Sequence, residues 1–394
     1  MIRLAVVISH PIQYYSPWFK ELARQPGLLL RVYFLWDFGI SPQFDHGFGQ
    51  EVKWDIPLLD GYEYSFVANV ACNPGTHHFA GLKNPTLVSE LLDWRPDAIL
   101  LFGYIYSSHL RLLLDLRLRR VPFLLRGDSH QLAHRKGIKC LVARLIRNIL
   151  FLRFSAGLPV GQANSDWMSL NGIPRNCQFL APHAIDNYRF QSTAGEAEAA
   201  ASLWRKKLGI SREAIVVLFA GKFEAKKRPL DLLEAFMSLR HPSAVLVYVG
   251  AGPLEQDLKR KAALFETGRV IIEGFQNQSA MPRTYALADL VVLPSYGIGE
   301  TWGLCINEAM NMAKPVIVSS HVGCGPDLVI PGETGWIFPA GDIKALRCAL
   351  SVALSDAHRL KTMGQAARAL IDHFSYAAAT TGLMKALKAV LVRP

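Results

Sequence analysis

Short runs of apolar residues alternate with helical stretches along this chain of 394 residues. Each run has the length of one buried strand, and such alternation is typical of α/β proteins with parallel, doubly wound sheets. In the first half we predict strands at 2–8, 28–35, 97–102, 122–126 and 157–160, and helices near 13–25, 84–94, 106–119 and 132–153. In the second half we predict strands at 214–219, 244–249, 269–273, 290–293 and 315–319.

Two such series exceed what one hydrophobic core usually serves, so we predict two Rossmann-like domains that face each other across a cleft. The small and polar segment at 191–201 is interpreted as a linker. It divides the chain into a first domain at 1–190 and a second at 191–375. Ligands of such sheets bind at the carboxyl ends of the strands, which places the predicted site in the cleft.

Cysteine and histidine spacing gives no sign of a disulfide frame or a metal site. The six cysteines include no C-x-x-C pair, and the twelve histidines form no H-E-x-x-H motif. This pattern suits reduced thiols in a cytosol. The apolar run at 2–8 is too short for a secretory signal peptide, and no run of about 20 apolar residues predicts a membrane span. We therefore expect a cytoplasmic protein.

Much of the net charge of +11 lies between residues 111 and 153, where eleven Lys or Arg stand against two Asp, a local excess of +9. Within this region, 134–153 has the pattern of a basic amphipathic helix. It could lie on an anionic membrane surface, which would make the protein peripheral to the inner face of the plasma membrane. A domain helix that buries its apolar side is the alternative. We expect no nucleic-acid partner, since neither a groove-reading motif nor an aromatic platform accompanies the charge.

The apolar run at 290–293 leads into a Gly-rich loop, and a helix is predicted to begin near Thr301. The first N–H groups of a helix lack internal partners and favour anions, so a diphosphate fits against Trp302, Gly303 and Leu304. Glu308 lies on the order of 9 Å further along the helix. Glu300 and Glu308 could therefore accept hydrogen bonds from hydroxyls on opposite sides of a pyrophosphate, as a nucleotide-sugar presents them.

This segment resembles the E-x7-E signature of the retaining glycosyltransferases of family 4, which have the GT-B fold. Glu300 and Glu308 match its two glutamates, and the similarity continues through 313–318, 323–325, 332–335 and 339–342. It covers the C-terminal half well and the N-terminal half loosely. The resemblance implies a nucleotide-sugar donor, retention of anomeric configuration, and a C-terminal helix at 376–394 that packs back on the first domain.

A basic loop, starting at Gly221, follows the first strand of the second domain. The family has an Arg and a Lys here, and Lys222 and Lys227 match these positions. Two cations would stabilise the departing diphosphate, which gains negative charge as the glycosidic bond breaks. A solvated basic turn is the alternative.

Further donor contacts follow from the resemblance. Gly250 would form a tight turn under the nucleotide, and Phe275 and Gln276 would flank the base. A core position for Phe275 is the alternative.

The first domain would hold the acceptor. His10, Gln13 and Tyr14 follow its first strand, in a loop where many family members have a Gly-Gly pair that this chain lacks. They are candidates for sugar or acceptor contacts. Tyr104, Asp128 and His130 follow two later strands and form a second set of candidates. The resemblance implies a His near the transferred sugar, so His130 is assigned a catalytic role, with Asp128 as the alternative in that place.

These features predict a retaining glycosyltransferase acting on a glycan or lipid-linked acceptor, in bacterial surface polysaccharide biosynthesis. The chain has no Asp-x-Asp pair of the kind that holds a divalent cation in other sugar transferases, so we expect neither a metal nor another cofactor. A nucleotide-sugar epimerase and a non-catalytic nucleotide-sugar-binding protein are the alternatives. A glycoside hydrolase, which also pairs carboxylates, would leave the lysines and the anion site unexplained.

Overall fold

The computed structural model describes residues 1–45, 47–133, 137–239, 241–264 and 269–392. The strands of the first domain are β1 (Ile2–Ile8), β2 (Leu28–Phe34), β3 (Gln43–Asp45), β4 (Gln50–Val52), β5 (Glu63–Phe66), β6 (Ala98–Phe102), β7 (Phe123–Gly127) and β8 (Phe154–Pro159). Its helices are α1 (Ser16–Ala23), α2 (Leu87–Trp94), α3 (Ser107–Leu114), α4 (Ile138–Phe151) and α5 (Gln162–Leu170). Six strands form a parallel sheet in the order β5-β2-β1-β6-β7-β8, and β3 and β4 form a separate antiparallel hairpin.

The chain continues through α6 (Asn187–Ser192) and α7 (Ala194–Lys207) into a second parallel sheet. Its strands are β9 (Ile215–Ala220), β10 (Ala244–Val249), β11 (Val270–Glu273), β12 (Leu290–Leu293), β13 (Val316–Ser319) and β14 (Gly335–Phe338), in the order β11-β10-β9-β12-β13-β14. Its helices are α8 (Pro229–Leu239), α9 (Glu255–Ala263), α10 (Met281–Ala286), α11 (Leu304–Asn311), α12 (Gly325–Leu328), α13 (Ile343–Leu354) and α14 (Ala357–Ile371). The predicted fold of two α/β domains with parallel sheets is confirmed.

Each sheet is covered on both faces, which explains why its strands read as continuous apolar runs. In β1, Leu4 and Val6 enter the core on one face, while Ala5 and Val7 enter the core on the other. The second sheet is likewise enclosed between two apolar clusters. Both faces are therefore used for packing, and the ends of the strands are left for ligands.

The last helix, α15 (Tyr376–Leu391), returns to the first domain. Leu383 and Leu387 are buried in the same cluster as Leu4 and Val6 of β1. The indole N–H of Trp18 in α1 donates a hydrogen bond of 3.0 Å to the Thr380 hydroxyl. The chain thus crosses between the domains twice.

The interpretation of 191–201 as a linker is wrong in its local structure. These residues lie in α6 and α7, separated by Thr193. Alanine and glutamate favour helix, and Ala197 and Ala201 are buried in the core of the second domain. Their small size reflects close packing against that core.

The predicted basic helix is shorter than expected. It begins at Ile138, after Gly137 with φ of 126°, and ends at Phe151. Residues 134–136, which the prediction included, lie outside the described residues.

Candidate active site

A cleft of about 390 Å³ lies between the two domains, at the carboxyl ends of the strands of both sheets. Fourteen of the predicted site residues line it: Gln13, Tyr14, Asp128, Gly221, Lys222, Lys227, Gly250, Phe275, Gln276, Glu300, Trp302, Gly303, Leu304 and Glu308. The cleft therefore brings together residues that are up to about three hundred positions apart in the chain.

The loop after β12 is shaped by Gly303, which precedes the first residue of α11. Gly303 has φ of +99°, and a Cβ there would lie 2.8 Å from Cδ2 of Leu293. No other residue would fit without displacing the core, so the loop backbone packs directly against Leu293 of β12. The helix begins at Leu304, three residues later than predicted, because the chain bends at residues 301 and 302. Trp302 is buried, and its indole N–H donates to Asn307 Oδ1 at 2.8 Å.

Glu300 lies in the cleft beside Lys227. The two side chains form an ion pair, and the hydroxyl of Ser295 donates a hydrogen bond of 2.8 Å to Glu300 Oε2. Burial disfavours the charge of Lys227, but the Glu300 carboxylate outweighs it and holds the pKa of Lys227 above its ordinary value. Lys227 therefore carries its positive charge into the cleft.

Lys222 also carries its charge into the cleft, and it is paired with a residue of the first domain. Its Nζ lies 2.8 Å from Oδ1 and 3.0 Å from Oδ2 of Asp45, at the end of β3. Burial acts to raise the pKa of Asp45, but the hydrogen bond and charge of Lys222 hold it below its usual value. Asp45 is therefore an anion at neutral pH.

Glu308 lies in α11 and lines the cleft, where its side chain is almost completely buried. The hydroxyl of Tyr285 donates to Oε2 at 2.7 Å, and that of Tyr14 donates to Oε1 at 3.1 Å. Burial raises the pKa of Glu308 despite these two hydrogen bonds. Its carboxylate is consequently held in one orientation by hydroxyl donors.

Loops of the second domain line the cleft next to these charged residues. Gly250 has φ of +153°, and a Cβ there would lie 2.0 Å from the carbonyl oxygen of Gly221. Phe275 packs its ring against Phe48, with centroids 4.7 Å apart. Gln276 accepts a hydrogen bond of 2.8 Å from Arg283.

Three predicted residues lie outside the cleft lining. The ring of His10 packs against Trp36 and Phe38, and burial lowers its pKa to about 4. Tyr104 packs against Phe151 and Trp167 in the core of the first domain.

His130 is the third. Its Nδ1 accepts from the N–H of Leu132 at 3.2 Å, so its Nε2 donates to the carbonyl oxygen of Glu300 at 3.0 Å. This contact fixes the loop that carries Glu300. Asp128 lies nearby in the lining, and its carboxylate accepts from the Thr301 hydroxyl at 2.6 Å.

Several lining residues were missed by sequence reasoning. Asp45, Phe48 and Trp54 come from the hairpin region, His183 from the segment between α5 and α6, and Tyr285 from α10. The hairpin strands have only three residues each, too short for a periodic pattern to reveal. The pair of glycines at 47 and 49 was the available signal of a turn.

Among the described residues, no group of three or more His, Cys, Asp or Glu is arranged to hold a metal ion. Within the same part of the chain, no helix has the length and apolar character needed to cross a membrane.

Known proteins that are similar to this chain include glycosyltransferases. Residues 201–370 match the family model described as glycosyl transferases group 1. The sulfoquinovosyl transferase SQD2 of Arabidopsis thaliana is 26% identical over 313 residues, which cover 76% of this chain and 58% of that protein. The D-inositol 3-phosphate glycosyltransferase of Salinispora arenicola is 30% identical over 224 residues, covering 54% of this chain and 49% of that protein. The chain thus spans about half the length of these curated relatives.

Solved structures match nearly the whole chain. A glycosyltransferase from Rickettsia africae has a TM-score of 0.75 at 16% identity, covering 100% of this chain and 99% of its own. Alr3699/HepE of Anabaena in complex with UDP has a TM-score of 0.73 at 18% identity, covering 99% and 100%. At these identities the likeness establishes the fold. The chain therefore has the GT-B fold of these solved glycosyltransferases, and the match at 201–370 supports a glycosyltransferase enzyme.

Proposed function

We propose that the protein is a retaining, metal-independent glycosyltransferase that moves a sugar from a nucleotide-diphosphate donor to a hydroxyl of a glycan or lipid-linked acceptor. The observation that carries the proposal is the position of Glu300 and Glu308 in one cleft, with the loop at 302–304 and Lys227 beside them. A carboxylate that is held by hydroxyl donors suits a ribose, and a buried cation beside a helix start suits a diphosphate.

In this mechanism the bond between the sugar and the diphosphate breaks, and the departing diphosphate gains negative charge. Lys227, Lys222 and the N–H groups at the start of α11 would stabilise that charge, which favours the transition state over the bound donor. Glu300 would hold hydroxyls of the transferred sugar, and Glu308 would hold the ribose. The acceptor hydroxyl would attack on the face from which the diphosphate leaves, so the anomeric configuration is kept.

The donor would lie mainly on the second domain and the acceptor on the first. Gln13, Tyr14 and Asp128 are the predicted first-domain residues that line the cleft. The UDP named for the Anabaena structure makes UDP-sugars the first donors to test.

We propose a membrane-attached acceptor because of the outward face of α4, which we define by its exposed apolar residues. These are Ile138, Leu141, Val142, Leu145, Ile146 and Ile149. The alternative of a helix that buries this apolar side does not agree with their exposure. Leu114 lies beside Ile146 and Ile149 in one surface groove. Leu116 is exposed as well, and the same segment of the chain carries exposed cations at Arg111, Arg117, Arg119 and Arg120.

An apolar helix face bordered by cations complements an anionic lipid surface. Arg144 and Arg147 are bonded to Leu170 and Asn171, which fixes α4 to the domain while its apolar face stays outward. The protein would then act in the cytoplasm on the inner face of the plasma membrane, on a growing bacterial surface polysaccharide or lipid-linked sugar.

A panel of UDP-, GDP- and ADP-sugars tests the activity. A donor that binds should raise the unfolding temperature, because a ligand of the native state stabilises it by mass action. Product analysis with an acceptor extract should then show a new glycoside with retained configuration and undiminished yield in EDTA. Conversion of the donor without acceptor would identify an epimerase, and binding without turnover would identify a binding protein; either result rejects the transferase.

A further inference from the structure

The first domain reaches across the cleft to two groups that the proposed function assigns to the donor. One is Lys222, assigned to the diphosphate, and the other is Glu308, assigned to the ribose. Asp45 contacts the first and Tyr14 contacts the second. Both contacts have the chemistry that the donor itself would offer.

Asp45 presents an anion to Lys222 as a phosphate would. Both of its oxygens lie within 3.0 Å of Lys222 Nζ. The N–H groups of Gly47 and Phe48 donate to Oδ1 at 2.8 and 3.1 Å, which fixes the carboxylate in the hairpin turn. The Phe48 ring lies 4.7 Å from the same Nζ and covers the pair.

The hairpin backbone itself approaches the basic loop closely. A Cβ on Gly47 would lie 2.4 Å from Oε1 of Glu224 and 2.6 Å from Cδ of Lys222. A phosphate bound to Lys222 would occupy the same space beside Nζ of this residue. A diphosphate and the Asp45 carboxylate cannot share it without repulsion between like charges.

Tyr14 presents a hydroxyl to Glu308 as a ribose would. It donates to Oε1, whereas Tyr285 of the second domain donates to Oε2. The Tyr285 contact lies within one domain and leaves Oε1 as the oxygen available to a ligand from the cleft side. The backbone carbonyl of Tyr14 accepts from the Tyr376 hydroxyl at 2.8 Å, so α15 holds this loop in place.

We infer that Asp45 and Tyr14 compete with the donor, Asp45 with the diphosphate for Lys222 and Tyr14 with a ribose hydroxyl for Glu308. This inference rests on the proposed function. Donor entry must then break two contacts between the domains, and donor release restores them. The two contacts from the first domain therefore lower the affinity of the protein for its donor.

The variants Asp45→Asn and Tyr14→Phe remove the competing groups with little change of shape. In Asp45→Asn the side-chain amide keeps an oxygen for the N–H groups of residues 47 and 48. The hairpin region also stays attached through Asn277, whose side chain donates to the Lys53 carbonyl at 2.7 Å. Asp60→Asn, at an exposed residue outside the cleft lining, is the control for charge. Tyr285→Phe is the control for a hydroxyl on Glu308.

Calorimetric titration of the full chain with inorganic pyrophosphate and with UDP, GDP and ADP separates the two contacts. Asp45→Asn should tighten both pyrophosphate and the bound nucleoside diphosphate by about fivefold. Tyr14→Phe should tighten only the nucleoside diphosphate, by about three- to tenfold, since pyrophosphate has no ribose. Asp60→Asn and Tyr285→Phe should tighten neither. Thermal unfolding of each variant checks that it is folded.

Unchanged or weaker binding in Asp45→Asn or Tyr14→Phe, when the wild-type protein binds, overturns the inference for that residue and leaves the proposed function intact. Equal tightening in a control overturns it too, because the effect would then be general. Failure of all three nucleoside diphosphates to bind any form, wild type included, rejects the proposed function and the inference together.

Discussion

Lys227 and Glu300 form an ion pair in the cleft, with side chains only 17% and 9% exposed. Lys227 ends a short turn at Ala225–Lys227, and Arg228 follows it with φ of 53°, which redirects the chain into α8. The hydroxyl of Ser295 donates a hydrogen bond to the Glu300 carboxylate and fixes its position. Removing one member of a buried pair leaves the other charge unpaired, which costs more than the pair contributes as a whole. Substitutions at these two residues should therefore affect the second domain and its ligand together.

Glu300→Gln keeps the size of the side chain and removes its charge. In the proposed mechanism its hydrogen bonds to the sugar are strongest in the transition state. We expect kcat to fall by about 10- to 150-fold, the value of one charged hydrogen bond. The Kd of the nucleoside diphosphate, which lacks the sugar, should change much less. Steady-state kinetics and calorimetry measure the two effects, and an unchanged kcat would remove Glu300 from the sugar site.

Lys227→Ala should weaken nucleoside diphosphate binding and also lower kcat by about 10²- to 10³-fold, because the cation faces charge that grows in the transition state. Lys206→Ala removes the same charge from an exposed position on α7 and serves as the matched control. Similar losses in both variants would show that only the total charge of the protein matters.

Glu308→Gln tests the pH dependence of folding stability. The folded pKa of Glu308 lies above its unfolded value, so the native state binds more protons than the unfolded state in the window between the two values. Stability contributed by this group therefore falls as the pH rises through that window and stays low above it. The difference in unfolding temperature between wild type and Glu308→Gln should grow in favour of the variant from pH 4 to neutral pH, to be checked by calorimetry at about six pH values.

The same variant should weaken binding of the nucleoside diphosphate and leave pyrophosphate binding unchanged, since Glu308 is assigned to the ribose. Equal weakening of both ligands would place Glu308 near the phosphates instead.

Gly303→Ala tests the turn before α11. A side chain at positive φ costs about 1–3 kcal/mol, and here its Cβ would also meet Leu293 and Val322. Gly297→Ala is the matched control, since Gly297 has φ of +88° and open space around its missing Cβ. Denaturant unfolding should show a larger loss in Gly303→Ala, accompanied by weaker pyrophosphate binding. Equal losses would mean that contact with the core does not constrain this turn.

Leu145→Glu with Ile149→Glu tests the outward face of α4. Wild-type protein should float with vesicles that contain phosphatidylglycerol and stay behind with phosphatidylcholine alone, because the cations and the apolar residues act together. The double variant should not float with either. Its unfolding temperature should match that of wild type, since both residues are exposed. Flotation of the double variant equal to that of wild type would rule out this face as the attachment surface.

The sequence was a good guide to the elements of the fold and to the donor half of the site. Continuous apolar runs predicted the strands because both faces of each parallel sheet are buried. The glutamates at 300 and 308 and the loop between them stand within nine residues, so local spacing was sufficient to bring them together. The exact start of α11 was missed, because the bend at residues 301 and 302 has no propensity signature that separates it from a helix.

The first-domain side of the cleft was less predictable. His10 and Tyr104 follow strands at the correct edge of the sheet, but their side chains turn into aromatic clusters. Asp45 and Phe48 lie in a hairpin that no periodic pattern marks, and they reach Lys222 and Phe275 from more than 170 residues away.

By itself the sequence determined most strands of the two parallel sheets, and it indicated that the basic loop and the helix that carries Glu308 would meet, because these depend on burial pattern and on neighbours in the chain. Only the tertiary structure decided which groups of the first domain face Lys222 and Glu308. The reason is physical: contacts across a cleft depend on how two separately packed sheets are oriented, and that orientation is set by many distributed contacts, among them those of α15 with the first domain.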